Sequence, residues 1–292
     1  MEHQELNTTT LTRTATCNKH GEYEEVQKEC YGPGKDEFGD YTVVKFLKWT
    51  GHCAECVAEI VRREEEHKAK MERHKLHERI RASGIPGGFL EESLDSYIAD
   101  NPGQQKALSV ARDYVANFGE HVYSGRNLLF TGKPGCGKTH LAVAIGMALM
   151  KMGASVRWTT ASDMTRRFTD TWGRREGENE TQVLADLTGA DLLILDEAGV
   201  QSGSEVELRT IFNVIDGRYR EKLPTLVASN LSIKNLTPYV GERVIDRLRD
   251  NGSELVAFDW ESYRGKKGAR NTSAPRPFMS SAGHAVAAGK PK

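Results

Sequence analysis

The stretch TGKPGCGKTHLA, residues 131–142, has the residue types and spacing of a phosphate-binding loop. Gly132, Gly137, Lys138 and Thr139 fit the pattern G-x-x-x-x-G-K-[ST], whose glycines let backbone N–H groups turn inward around a β-phosphate. The lysine of this pattern reaches the β- and γ-phosphates, and its hydroxyl residue binds Mg²⁺. We therefore predict a site for ATP and Mg²⁺ formed by Gly132, Lys133, Pro134, Gly135, Cys136, Gly137, Lys138, Thr139 and His140. Cys136 is expected to be a small loop residue without a catalytic role.

A second stretch, DLLILDEAG, ends an apolar run with two adjacent carboxylates. Asp196 is predicted to hold Mg²⁺ together with Thr139. Glu197 is predicted to orient or deprotonate the attacking water, since phosphoryl transfer depends on positioning and charge. Asn230 follows the run TLVAS, where it is either a contact for the γ-phosphate or the water, or an ordinary turn residue.

These residues lie in a region where strand-like and helix-like segments alternate. Short apolar runs predict strands at 127–131, 155–159, 191–196, 225–229 and 255–258, and stripes of apolar residues at helical spacing predict the helices. The run at 191–196 is apolar on both faces, as in a central parallel strand. The pattern indicates an α/β fold, a parallel sheet with helices on both faces, in which ligands bind at the carboxyl ends of the strands.

Four of the five cysteines lie in the first 56 residues, and three of them stand at metal-ligand spacing. Cys17 and His20 form a C-x₂-H pair, and Cys53 and Cys56 form a C-x₂-C pair, which together can bind Zn²⁺ tetrahedrally. Cys30 and His52 are alternative ligands. Residues 17–56 are too rich in Gly and charge to fold on an apolar core, so we predict a zinc-ribbon-like module that the metal stabilises. The alternative is a set of reduced structural cysteines.

The segment 164–180, MTRRFTDTWGRREGENE, combines basic and aromatic residues. Such a mixture suits single-stranded DNA, whose bases stack on aromatic rings and whose phosphates pair with Arg. The predicted DNA contacts are Arg166, Arg167, Phe168, Trp172 and Arg174. The alternative is that Phe168 packs in the core and the arginines are solvated. The two interpretations are balanced for Phe168, whereas Trp172, with polar neighbours, favours DNA.

The overall composition is that of an ordinary globular protein. The 292 residues are 38% hydrophobic and 28% charged, with a net charge of −1, so nucleic acid must be bound through a local patch. The apolar runs are too short to span a bilayer and the N-terminus lacks the apolar core of a secretory signal, so we expect a cytoplasmic location. We expect a flexible N-terminus at 1–16, a charged helix or linker at 57–83, a nucleotide-binding domain at 84–264 and a disordered tail at 265–292.

Four stretches resemble the DnaC-type helicase loaders of bacteria and phages, which are AAA+ ATPases. They are FTGKPGCGKTHLAVAI, LLILDEAGVQ, GERVIDRLR and FDWESYRG. SGIPGGF upstream is similar to the segment that opens the ATPase domain of these proteins, and the cysteine pairs are similar to zinc knuckles of phage-type loaders. The resemblance covers roughly residues 84–265, and its specific part is the last two of the four stretches.

The resemblance implies an AAA+ P-loop NTPase fold and a factor that uses ATP to deliver the replicative hexameric helicase onto single-stranded DNA. It implies weak, DNA-stimulated hydrolysis and assembly into a homo-oligomer on binding ATP or DNA. Arg247 matches the arginine finger, which reaches the ATP of a neighbouring subunit, and Arg264 matches the sensor-2 arginine. In this family the 164–180 region carries an extra helix facing the central pore. Two alternatives stay open: an IstB-like ATPase accessory to transposition, and a nucleotide-gated adaptor with negligible hydrolysis.

Overall fold

The computed structural model describes residues 11–35, 41–172, 177–200 and 203–264, with the backbone alone at positions 35, 41–42 and 44–47. The chain divides into two compact units, Met1–Lys75 and Leu76–Lys292. The expected tail at 265–292 lies outside the described residues.

The first unit contains a three-stranded antiparallel sheet in the order β1-β2-β3. Strand β1 spans Thr12–Cys17, β2 spans Gly21–Lys35 and β3 spans Tyr41–Trp49. A tight turn joins β1 to β2, where Cys17 pairs with Gly21. Strand β1 corrects the expected extent of the flexible N-terminus, because residues 12–16 belong to this sheet.

Helix α1 spans Ala54–Ser83 and is polar on nearly all sides. It contains no Gly or Pro, and Ser83 is the one buried residue of this fully described helix. Arg62 and Glu66, one turn apart, approach to 3.8 Å, and both side chains are exposed. Such a pair contributes about 0.3–0.5 kcal/mol, so it adds little to the stability of this helix. It begins earlier than the helix expected at 57–83.

The second unit is built on a five-stranded parallel sheet in the order β5-β6-β7-β4-β8. Its strands are β4 (Leu128–Gly132), β5 (Val156–Thr160), β6 (Leu192–Ala198), β7 (Thr225–Ser229) and β8 (Glu254–Phe258). Each pairing in the sheet is parallel. The five predicted strands and the α/β fold class are confirmed.

The helices of this unit are α2 (Pro102–Ala116), α3 (Phe118–Ser124), α4 (Lys138–Lys151), α5 (Ala161–Thr169), α6 (Glu180–Gly189), α7 (Glu205–Arg220), α8 (Ile233–Val240) and α9 (Glu242–Arg249), and a short 3₁₀ turn lies at Gly87–Phe89. Among these, the apolar stripes at helical spacing predict α2, α4 and α7. Helices α2, α6 and α7 begin with capping boxes, in which side chain and backbone satisfy each other's hydrogen bonds. In the described part of the chain, no helix has the length and apolar content needed to cross a membrane.

Two apolar layers cover the two faces of the parallel sheet. Leu128 and Phe130 of β4 pack with α2 and α4 on one face, while Leu129 packs with α5 and α7 on the other. This division follows from the alternation of side chains along a strand. The sheet is therefore buried on both faces, and polar groups gather at the carboxyl ends of its strands.

Candidate nucleotide site and metal centre

The loop between β4 and α4 has the tight geometry that its glycines allow. Gly132 has φ 131°, and a Cβ there would lie 2.1 Å from the carbonyl oxygen of Phe258, so no other residue fits. Lys138 is 6% exposed, and its Nζ donates to the carbonyl oxygens of Gly132 at 2.9 Å and Lys133 at 2.7 Å. Burial lowers the pKa of Lys138. Its ammonium group thus lies inside the curve of the loop, at the N-terminus of α4, where an anion is favoured.

Other members of the predicted loop make contacts that hold it in place. The Nζ of Lys133 donates to the carbonyl oxygen of Asp259 at 2.9 Å. The ring of His140 pairs with Glu92 through Nδ1 at 2.8 Å and reaches the carbonyl oxygen of Ser93 through Nε2 at 3.1 Å. Both side chains are therefore directed at neighbouring segments of the same chain.

Cys136 is buried, and its thiol is in the protonated, weakly nucleophilic form. Burial raises the pKa of its thiol, so the sulfur stays protonated at neutral pH.

The two predicted Mg²⁺ ligands contact each other. Thr139 Oγ1 donates to Asp196 Oδ2 at 2.9 Å, and the backbone N–H of Glu197 donates to Asp196 Oδ1 at 2.8 Å. Asp196 is 4% exposed, and burial raises its pKa. A hydroxyl and a carboxylate beside a buried lysine form the oxygen-rich site that Mg²⁺ prefers when it accompanies phosphates.

Glu197 occupies an irregular point of β6. The register between β6 and β7 shifts between Leu195 and Ala198, and Glu197 has φ 54°. A positive φ is uncommon outside glycine, and a bulge of this kind re-aims a side chain next to a functional site. The result is an exposed carboxylate directly after the buried Asp196.

Asn230 and Arg264 also reach this edge of the sheet. Asn230 is exposed and follows β7, the strand between β6 and β4. Arg264 lies against the loop, because a Cβ on Gly135 would be 3.4 Å from its Cγ, and the preceding N–H of Tyr263 donates to the Gly135 carbonyl oxygen at 2.9 Å. The structure therefore places Arg264 against the loop and Asn230 at the end of a neighbouring strand.

Arg247 lies on α9 and contacts α7. Its Nη2 pairs with Asp216 Oδ1 at 2.5 Å, and its guanidinium lies 4.7 Å from the ring centroid of Phe212. The Arg247 side chain is 23% exposed, whereas that of Asp216 is 6% exposed. Asp216 also pairs with Arg220, one turn further along α7. Arg247 is thus held in a fixed position with part of its surface open.

The predicted metal ligands form one compact cluster. The ligand atoms of Cys17, His20, Cys53 and Cys56 all lie within 4.8 Å of one another. The sulfur of Cys17 is 3.6 Å from that of Cys56, and His20 Nδ1 is 3.3 Å from the sulfur of Cys53 and 3.4 Å from that of Cys56. A tetrahedron with Zn–S bonds of about 2.3 Å has S–S edges of roughly 3.8 Å and slightly shorter S–N edges. The arrangement therefore fits Zn²⁺, and the alternatives Cys30 and His52 lie outside the cluster.

The backbone favours a thiolate within this cluster. The N–H groups of Lys19 and His20 donate to the Cys17 sulfur and lower the pKa of Cys17 to about 6. A thiolate is the form that binds a metal.

The predicted DNA segment is only partly available for binding. Phe168 is 3% exposed and packs in the core, so its prediction as a DNA contact was wrong. Arg166 pairs with Asp163 at 2.6 Å. Arg167 pairs with Glu178 at 2.5 Å and with Asp186 at 2.7 Å. Trp172 is 50% exposed, and Arg174 lies outside the described residues.

Two residues that contact predicted site residues were not predicted from the sequence, namely Asp216 and Trp260. Asp216 pairs with Arg247 from a position 31 residues earlier, and nothing local marks it. Trp260 donates its indole N–H to the carbonyl oxygen of Cys136 at 3.0 Å. Trp260 did carry a signal, because it lies in the stretch FDWESYRG that supported the family resemblance.

A parallel sheet of this order, with a glycine-rich loop after β4 and adjacent carboxylates ending β6, defines a P-loop protein of the AAA+ class. The sequence profile of the IstB-like ATP binding protein family matches residues 53–271, more than half of the chain. The chain belongs to this family, which confirms the DnaC/IstB-like resemblance.

Individual relatives agree with this assignment. The replicative helicase loader DnaC of Escherichia coli K12 is 40% identical over 192 residues, which are 66% of this chain and 77% of DnaC. The uncharacterised protein YdaV of the same strain is 31% identical over 224 residues, 76% of this chain and 86% of YdaV. A crystal structure of the DnaC helicase loader superimposes with a TM-score of 0.53 and 27% identity, covering 59% of this chain and 99% of that one.

Proposed function

We propose that this protein is an ATP-dependent helicase loader that acts in DNA replication in the cytoplasm. The main support for this proposal is the contact between Thr139 and Asp196 beside the buried Lys138, in a chain 40% identical to the DnaC loader over 192 residues. The contact supports ATP binding and hydrolysis. The similarity to DnaC supports the role of a helicase loader.

The residues of the site have complementary roles in this proposal. Lys138 binds the β- and γ-phosphates, and Thr139 and Asp196 hold Mg²⁺, which neutralises charge on the phosphates when bound. Glu197 orients the attacking water from the bulge after Asp196, and Asn230 helps to place the γ-phosphate or the water. This arrangement suits phosphoryl transfer, which depends on positioning and electrostatics. We expect weak hydrolysis that DNA stimulates.

Two arginines connect nucleotide binding with assembly. Arg264, beside the loop, contacts the nucleotide of its own subunit. Arg247, whose contacts are with α7, completes the site of a neighbouring subunit in a homo-oligomer formed on ATP or DNA. The partial exposure of Arg247 supports a role at a subunit interface.

We further propose that Cys17, His20, Cys53 and Cys56 bind one Zn²⁺. Elemental analysis of protein purified without chelator should find about one zinc per chain. Cys53→Ser should lose the metal, because Cys53 is the buried ligand of the cluster. Cys30→Ser is the matched control and should keep it. Equal zinc contents of the two variants, or a metal-free protein in which the sheet β1-β2-β3 stays folded, would contradict the assignment.

The helicase contact is assigned to residues 1–82, and the single-stranded DNA contact to the surface around Trp172. The first unit supports the former, because Tyr31, Val57, Ile60 and Val61 expose apolar side chains there. Exposed apolar groups of this kind are suited to a protein partner.

The deciding experiment is co-purification with the replicative helicase of the same host. The full chain should retain the helicase and bind ATP. A truncated protein that starts near Ser83 should bind ATP and lose the helicase. Lys138→Ala should fail to bind ATP because the main charge facing the phosphates is lost. A full chain that binds ATP and ignores the helicase would refute the loader function, and helicase binding by the truncated protein would refute the assignment to residues 1–82.

A second function has one observation in its favour, namely the match to the IstB-like family. IstB-like ATPases accessory to transposition share this ATPase domain. The same pull-down with a transposase in place of the helicase distinguishes the two functions, since a loader should ignore the transposase.

A further inference from the structure

The segment that follows β8 is hydrogen-bonded to the phosphate-binding loop along its outer side. The N–H of Lys133 donates to the carbonyl oxygen of Phe258 at 2.9 Å, and the N–H of Tyr263 donates to that of Gly135 at 2.9 Å. Cys136, the residue after Gly135, exchanges a pair of hydrogen bonds with Trp260. Residues 258–264 therefore border the loop over most of its length.

Trp260 is the central residue of this segment. Its Nε1 donates to the carbonyl oxygen of Cys136 at 3.0 Å, and the Cys136 thiol donates to the carbonyl oxygen of Trp260 at 2.9 Å. Tyr97 donates its hydroxyl to the same Cys136 oxygen at 3.4 Å. The Trp260 ring packs on Phe258, with the centroids 4.8 Å apart, which fixes the indole in place.

These contacts determine where the N–H groups of the loop point. In a trans peptide the C=O and the following N–H point in opposite directions. Because the Gly135 and Cys136 carbonyls point to residues 260–263 and Tyr97, the N–H groups of Cys136 and Gly137 point away from them. Neither N–H donates to another described residue. The Lys138 Nζ, bound to the carbonyl oxygens of Gly132 and Lys133, marks the inner side of the same loop.

We propose that Trp260, assisted by Tyr97, is a positioning residue for nucleotide binding: by holding the Cys136 carbonyl outward it keeps the Gly137 N–H directed at the β-phosphate. The inference rests on the proposed nucleotide site. The loop is then preorganised before the nucleotide arrives, so binding does not have to reorient the peptide. The indole acts through the backbone and contacts no phosphate itself.

Trp260→Phe tests the proposal because it keeps an aromatic ring against Phe258 and removes only the donor. The affinities for ADP, ATP and AMP are measured by calorimetry, with AMP by competition. We expect ADP and ATP to bind about 2- to 10-fold more weakly, the range for one hydrogen bond. AMP, which has no β-phosphate, should bind as it does to the unchanged protein. Adding Tyr97→Phe should weaken ADP binding further, since the second donor to the same oxygen is lost.

Trp49→Phe is the matched control, because Trp49 lies on β3 of the first unit and takes no part in the nucleotide site. It should leave the ratio of ADP to AMP affinity unchanged. A ratio in Trp260→Phe equal to that of the control would overturn the proposal, and so would an equal loss for all three nucleotides, which indicates a general loss of structure. If the unchanged protein does not bind ADP, the nucleotide site itself fails, and this result is distinct from failure of the Trp260 inference.

Discussion

Arg218 provides the sharpest test of how the fold supports the site. It is 0% exposed and extends from α7 toward the amino ends of β6 and β7. Its guanidinium donates to the carbonyl oxygens of Leu187 at 2.9 Å, Ala190 at 2.8 Å and Pro224 at 2.5 Å, and to Thr225 Oγ1 at 3.1 Å. Burial lowers the pKa of Arg218 to about 9, so the group is still charged at neutral pH.

The cost of losing this side chain follows from its contacts. Arg218→Met keeps much of the volume and leaves the buried carbonyl oxygens of Leu187 and Ala190 without a donor, whereas that of Pro224 also accepts from the Leu193 N–H at 3.4 Å. An unsatisfied buried polar group costs about 1–3 kcal/mol, so we expect the free energy of unfolding to fall by at least about 2 kcal/mol. For a domain of this size that corresponds to a decrease in melting temperature of roughly 4–8 °C. The two carbonyls lie where α6 leads into β6, so the strand that carries Asp196 should loosen.

The assay is thermal and urea unfolding of the full chain, followed by circular dichroism. Arg209→Met is the matched control, because Arg209 lies on the same helix and is exposed. It should change the free energy of unfolding by no more than about 0.5 kcal/mol. If Arg218→Met lies within 1 kcal/mol of this control, roughly the error of such a comparison, the carbonyls find other donors and the reasoning is wrong.

Further predictions concern the site itself. Glu197→Gln should keep ATP bound and stop hydrolysis, as measured by phosphate release; unchanged turnover would remove Glu197 from the mechanism. Arg247→Ala should bind ATP and lose DNA-stimulated hydrolysis, and mixing it with Lys138→Ala protein should restore part of the activity, since one mixed interface has both intact residues; no recovery from variants that assemble would exclude action between subunits. Asp216→Asn should lower the same rate by misplacing Arg247, without changing ATP affinity; an unchanged rate would show that the ion pair is only structural. Trp172→Ala should weaken single-strand binding by roughly 1–3 kcal/mol, the value of one stacked base, and leave ATP binding alone; normal DNA binding would place the DNA elsewhere.

Local patterns made most of the fold and the loop predictable from the sequence. The strand before Gly132 and the helix after it are encoded within a few residues, and the capping boxes of α6 and α7 stand in the sequence at fixed offsets. The metal pairs were also readable, because each pair lies within four residues. The sequence could not choose among spare ligands, and the cluster geometry that favours Cys53 over Cys30 depends on how the sheet brings distant turns together.

Contacts between distant residues were beyond the sequence. The pair of Cys136 and Trp260 spans 124 positions and the pair of Asp216 and Arg247 spans 31, so no periodicity reveals them. Phe168 is different, since Ala161, Met164 and Phe168 form a buried stripe on α5. This helical spacing favours a core position over a DNA contact. The basic neighbours of Phe168 favoured DNA instead and led to the wrong prediction.

The left-handed backbone of Glu197 has a consequence for how this protein can change over generations. Such a conformation costs a residue with a Cβ about 1–2 kcal/mol, whereas Gly takes it freely and Asn tolerates it. Random substitution should therefore drift toward Gly or Asn at this position unless the carboxylate is used. In a lineage that keeps nucleotide binding and abandons hydrolysis, we expect Glu197 to be replaced by one of these two residues, with a gain in stability. If Glu197 orients the attacking water as proposed, a glutamate retained at position 197 indicates selection for turnover and can be recognised from sequence alone.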